Sequence, residues 1–175
     1  MAYYDEYHNI NQLNFLEGEI MEQLSLSQNQ FIEEIANIHE QQLEQQYYDY
    51  KKTNLSVALR IEMIERSLKL EAGRILIQTL DGVLQGFVWA RIERVGCKVI
   101  IEMLYVHPEY RHQSIGTKLK SSIESWGISQ GAQKIESTVA YSNKQMIEMN
   151  LNMDYQMEKI IMSKKLSVIN EDNNN

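Results

Sequence analysis

The chain has 175 residues, 43% of them apolar, and a formal net charge of −7. That length makes one domain with a real core the default; the acidic balance argues against general nucleic-acid binding, which needs a basic face, and suits a cationic substrate. No apolar run reaches the roughly 18 residues of a membrane span, the acidic, aromatic start MAYYDEYHNI is unlike a secretory signal, and the lone Cys97 cannot form an internal disulfide, which fits a reducing, cytoplasmic setting.

In chain order, Leu13, Leu16, Ile20 and Leu24 recur at near-helical spacing, so a short amphipathic helix is expected over residues 11–24. Ser27 followed by Gln30 reads as a capping box opening a longer helix, with Ile32, Ile35, Ile38, His39 and Leu43 on one face. Tyr47, Tyr48 and Tyr50 lie in a low-complexity patch, either a solvated helix end or an aromatic lip over a cleft. Thr53 or Asn54 can cap a second helix, with Val57, Ile61, Ile64 and Leu68 inward and Gly73 at its end. The period then changes to that of strands. Ile75–Leu80, the turn Asp81-Gly82 and Val83–Glu93 form a hairpin, and Val95-Gly96 turns the chain into a third strand, Cys97–Val106. Trp89, mid-strand, reads as core. A strand over Gln133–Tyr141, a helix over Lys144–Met153 and a final strand over Tyr155–Leu166 complete the chain, followed by a polar tail. The methionines read as irregular core filler. The four histidines are scattered and no metal cluster is expected.

The stretch Val99–Gly131 organises the rest. An apolar, β-branched run ends at Pro108, which cannot donate to a sheet ladder. Ser114, Gly116 and Thr117 follow, then a helical pattern with Leu119, Ile123 and Trp126 on one face and stop signals at Gly127 and Gly131. Strand, glycine-containing loop and helix start build an anion site: the first helical N–H groups are free and the helix dipole adds positive charge. Arg111, Lys118 and Lys120 are close enough in sequence to add formal charge. A phosphate-bearing ligand is the first inference. There is no GxxxxGK[ST] and no GxGxxG, which argues against a P-loop and a dinucleotide fold.

Val106-His107-Pro108 followed by Arg111-His112-Gln113-Ser114-Ile115-Gly116 resembles the V-x-P strand end and [RQ]-x-x-G-x-[GA] loop of the GNAT N-acetyltransferase superfamily. Asn143, Met146, Met149 and Tyr155 are similar to that family's downstream Asn, helix and aromatic strand start, so the resemblance spans roughly Arg74–Leu166. It implies an α/β (α+β) fold: one domain over residues 1–166 with a disordered tail at 167–175, and a mixed central sheet whose N-terminal β-meander is flanked by helices and whose central strands splay apart. It implies acetyl-CoA as co-substrate, with no metal. Arg111, His112, Gln113, Ser114, Ile115, Gly116 and Thr117 would hold its pyrophosphate, and Leu104, Tyr105 and Val106, continuing from Met103, its pantetheine arm, with Asn143 a further cofactor contact. The implied activity is transfer of an acetyl group to a primary amine, of a small cationic metabolite or antibiotic, by direct attack in a ternary complex. Acylation of a protein N-terminus or lysine is an alternative, as is a CoA-binding module with impaired catalysis. Partners beyond the small-molecule amine reduce to possible homodimerisation, with no nucleic acid and no membrane.

An alkyl ammonium must lose a proton before it can attack a thioester. Glu102, an acidic residue inside an apolar strand, is the candidate base, because burial would raise its pKa. The N–H of Leu104 or Tyr105 is the expected oxyanion donor. Two positions depart from the family pattern. Ser114 replaces the first loop glycine, at a cost of about 1–2 kcal/mol if that residue must be left-handed. Asn150 stands where many members carry a tyrosine that protonates the leaving thiolate, which leaves Tyr141 and Tyr155 as substitute acids.

Overall fold

The computed structural model describes residues 18–71 and 73–164. The chain falls into two compact units, one up to Thr138 and the other from Val139. The first holds the sheet. Its elements are β1 (Glu19–Gln23), α1 (Asn29–Gln46), α2 (Asn54–Lys69), β2 (Gly73–Leu80), β3 (Val83–Glu93), β4 (Lys98–Val106), α3 (Ile115–Ser129) and β5 (Lys134–Ser137). The strands lie in the order β1-β2-β3-β4-β5. The first three pairings are antiparallel and β4 pairs β5 in parallel, so the sheet is mixed.

The expected meander forms because its turns carry the right residues. Asp81 and Gly82 both adopt positive φ (50° and 78°), the backbone of a tight hairpin turn. The sheet buries a core on each face. Ile32 and Ile35 of α1 and Ile64 of α2 pack with Ile75, Ile77, Phe87 and Trp89 of the sheet. On the other face Ile115, Leu119 and Ile123 of α3 pack with Val88, Ala90, Val99 and Ile101. Thr53 caps α2 in a full capping box with Ser56.

Several expectations are corrected. Glu19–Gln23 is a strand rather than the end of a helix, and pairs along Leu76–Leu80; the edge of β2 offers backbone partners that outweigh a weak helical period. Asn11–Glu17 lies outside the described residues. The Ser27–Gln30 capping box is absent. Gln28 caps α1 without a side-chain bond to it, and its Oε1 instead accepts from the Ser25 N–H at 2.9 Å. Gly127 does not stop α3 but lies inside it, where a Cβ would come within 2.6 Å of Val99 Cγ2; the missing side chain allows close helix–sheet packing. Gln133–Tyr141 contains a shorter strand, Lys134–Ser137.

In the second unit α4 spans Lys144–Asn152, close to the expected helix. The expected final strand does not form among the described residues: Tyr155–Lys164 carries no strand, with Ile160, Ile161 and Met162 87%, 88% and 91% exposed, while the rest of that segment and the expected tail at 167–175 lie outside the described residues. Alternation alone does not make a strand where no neighbouring strand pairs with it.

Candidate acyl-transfer site

The register between β3 and β4 shifts at one point. Trp89 pairs with Met103 and Ala90 with Ile101, leaving Glu102 as the extra residue of a β-bulge. The insertion exchanges faces along β4. Val99 and Ile101 point to α3, whereas Met103 and Tyr105 turn to the α1–α2 layer. The ladder to β5 also ends here, at Ile101 and Ser137, while β4 runs on to Val106. Among the described residues, Glu102–Val106 has no strand partner on the β5 side. This is the parting of the central strands that the fold class implies.

After β4 the chain makes a short 3-10 turn at Pro108–Tyr110, anchored by His107 N–H to Gln85 O at 2.8 Å and Tyr110 N–H to His107 O at 2.9 Å. Ser114 then caps α3 with φ 61° and ψ 9°, and its side chain makes no capping bond. Its left-handed backbone is the conformation in which serine costs about 1–2 kcal/mol relative to glycine. The first backbone bond of α3 runs from Lys118 N–H to Ser114 O at 2.9 Å. Among the described residues, the N–H groups of His112, Gln113, Ser114, Ile115, Gly116 and Thr117 donate to no protein acceptor. Ile115 is buried and holds the helix start against the sheet, next to Gly86, where a Cβ would meet Tyr105 O at 2.7 Å and Ile115 Cγ2 at 3.3 Å.

The formal charge at the loop is smaller than the sequence suggests. Arg111 is exposed and its Nε donates to Val106 O at 3.2 Å. Lys118 lies 3.9 Å from Glu19 of β1. Lys120 is fully buried, which pushes its ammonium down to about 8 despite nearby Glu124.

Glu102 is not buried, and this corrects the premise on which it was chosen as base. It is exposed and bonded to Arg91 Nε. Arg91 continues to Glu93 at 3.9 Å, and Lys98 reaches Glu93 at 3.3 Å and Glu136 at 3.0 Å. The bulge places the carboxylate at the surface, in a solvated ion network with Arg91.

In the second unit Asn143 caps α4, its Oδ1 accepting from Met146 N–H at 3.1 Å. Tyr141 is 85% exposed, with Lys144 Nζ 3.5 Å from its ring centroid. Asn150 is buried in α4. Sequence reasoning missed Glu34 and His107. His107 Nδ1 is buried without a hydrogen-bond partner, and Glu34 is half-buried on α1. Glu34 stands one residue before Ile35 in the apolar stripe of α1, the signal that would have found it. A cleft of about 470 Å3 between α1 and α2 is lined by Asn37, Glu44, Lys52, Thr53, Val57 and Ile61 among others. Among the described residues no helix is long and apolar enough to cross a membrane, and no cluster of His, Cys, Asp or Glu could hold a metal ion.

Residues 32–151 match the family described as Acetyltransferase (GNAT) family. A GNAT family acetyltransferase from Staphylococcus aureus subsp. aureus is 39% identical, over 67% of this chain and 98% of that one, with a TM-score of 0.65. The aminoglycoside N-acetyltransferase AAC(6')-Iy, solved in complex with CoA, shares the fold at 19% identity, covering 84% and 94% of the two chains with a TM-score of 0.65. An acetyl transferase from Pyrococcus furiosus does so at 20% identity, covering 85% and 99%, with a TM-score of 0.64. No curated protein matches the chain. The chain belongs to the GNAT acetyltransferase family, whose members are acyltransferases.

Proposed function

We propose that the protein binds acetyl-CoA across the start of α3 and the unpaired half of β4, and transfers its acetyl group to a primary amine of a small cationic molecule by direct attack in a ternary complex. The observation that carries this reading is the run of unbonded amides from His112 to Thr117, which opens beside the β4 segment that has lost β5. Amides at a helix start bind a diphosphate without a dense cluster of cations, and a free strand edge pairs with an amide-bearing arm such as pantetheine. Leu104, Tyr105 and Val106 offer that edge, and the N–H of Leu104 or Tyr105 is the donor to the developing oxyanion. An aminoglycoside is one acceptor of the proposed class, as the name of AAC(6')-Iy indicates for that protein.

Titration calorimetry with acetyl-CoA, followed by thiol release in the presence of a panel of primary amines, tests the reading. Binding with turnover is expected. Binding without turnover on any amine would favour a CoA-binding module, a second reading motivated by Asn150, an amide buried in α4 that cannot serve as an acid. Absence of binding would refute both.

A further inference from the structure

Glu40 and Glu102 in the first unit both have ion-pair partners. Glu40, 1% exposed, accepts from Arg60 Nε at 2.8 Å and from the Tyr50 hydroxyl. Glu102 is in its Arg91 pair at the surface. Glu34 differs from both. It is half-buried on α1 among Phe31, Ile35 and Ile38, which pack on the sheet. Among the described residues it makes no hydrogen bond and no ion pair. Burial pushes its carboxyl above the ordinary carboxylate range, with His107 pulling the other way. A partly desolvated carboxylate without a partner is unfavourable until something cationic or protic joins it.

Tyr105, from the unpaired half of β4, packs against the same core cluster as Phe31 and Ile38, which flank Glu34 on α1. Tyr105 is raised by burial, lowered by Arg111 and raised by Glu34, so these side chains share one field. The rings of Tyr105 and His107 lie 6.5 Å apart in an edge arrangement. His107 Nδ1 is buried with no hydrogen-bond partner, its nearest carboxylate oxygen being Glu109 Oε2 at 3.8 Å. Unused polar capacity is therefore gathered on the α1 side of the strand segment that has lost β5.

We infer that Glu34, and not Glu102, binds the ammonium group of the acceptor and takes its proton. This rests on the acetyl-transfer reading above. One proton of the ammonium group passes to the Glu34 carboxylate, and the nitrogen lone pair forms the C–N bond at the thioester carbonyl. The C–S bond then breaks, and the second nitrogen proton goes to the departing thiolate. Glu34 finally releases its proton to solvent, so the net products are an amide, a thiol and one proton.

The test compares wild type, Glu34→Gln and Glu34→Asp, with acetyl-CoA and ethanolamine, putrescine, spermidine and neamine as probes. For the amine that the wild type acetylates fastest, E34Q is expected to lower kcat/KM by about 100-fold at pH 7, with acetyl-CoA affinity unchanged and partial recovery in E34D. The deficit should shrink toward about pH 10, where bulk water supplies neutral amine. E34Q should also melt no lower than wild type, because a carboxyl raised by burial costs stability once ionised above its folded pKa. Wild-type kcat/KM in E34Q, or a lost rate accompanied by lower melting or weaker acetyl-CoA binding, would overturn this assignment and leave the acetyl-transfer reading standing. A wild type that binds acetyl-CoA but acetylates none of the four amines would overturn this assignment and favour the CoA-binding module, and one that does not bind acetyl-CoA would overturn both.

Discussion

Along β4, Lys98–Ile101 and Met103–Val106 differ little in composition but greatly in company. The first segment is held between β3 and β5, its Val99 pressed against Gly127 of α3. The second keeps β3, loses β5 and turns its faces over at the Glu102 bulge. One half stabilises the sheet, and the other leaves backbone donors and acceptors unspent next to the open helix start. The contrast teaches that the proposed acetyl-CoA site would arise from withheld pairing, more than from a set of charged side chains. A short register shift is enough to create it.

The comparison can be sharpened from the α1 side, where His39 rests edge-on against Trp89, the β3 partner of Met103. Burial first, then Arg60, lowers the His39 imidazole from 6.5 to about 4, with Glu40 opposing. Unfolded chains therefore take up the proton first. Stability is expected to fall as pH drops from 6.5 toward 4, by up to about 3 kcal/mol, with no contribution above that window. Denaturant melts of wild type and His39→Gln across the window measure it, and the variant should show a flatter profile. In the paired half, Gly127→Leu should destabilise by about 1–3 kcal/mol through overpacking on Val99, while acetyl-CoA affinity stays at the wild-type value; a large affinity loss would mean that the two halves are not separable. Ser114→Gly relieves the left-handed strain and should stabilise by about 1 kcal/mol, with cofactor affinity unchanged or improved. A tenfold weakening in calorimetry would contradict this. Smallest is Glu102→Gln, which removes a solvated ion pair and should change stability by less than about 1 kcal/mol and leave kcat close to wild type.

Much of this was legible in the residues themselves. The hairpin follows from Asp81-Gly82, the α2 start from Thr53, and the strand–loop–helix order from Pro108 and the Arg111–Gly116 spacing. The bulge was not legible, because Val99–Val106 is an apolar run interrupted by one glutamate, with no alternation to reveal which residue is extra. Without the bulge, Glu102 reads as a buried acid. With it, the same residue reaches solvent and Arg91. The strand β1 was hidden for a related reason: a near-helical spacing of apolar residues says nothing about the free edge of β2. Gly127 was misread as a stop because sequence shows the missing side chain and not Val99 opposite it. Glu34 was overlooked because a glutamate beside an apolar helical stripe is ordinarily solvated.

The central claim is that acetyl-CoA engages the amides of His112–Thr117 and the half of β4 beyond the bulge. An amide-resolved 1H–15N NMR titration with acetyl-CoA tests it most directly. The account predicts the largest shifts at His112–Thr117 and at Met103–Val106, with Lys98–Ile101 nearly still. Shifts centred on Lys98–Ile101, or none within His112–Thr117 at saturating acetyl-CoA, would contradict it.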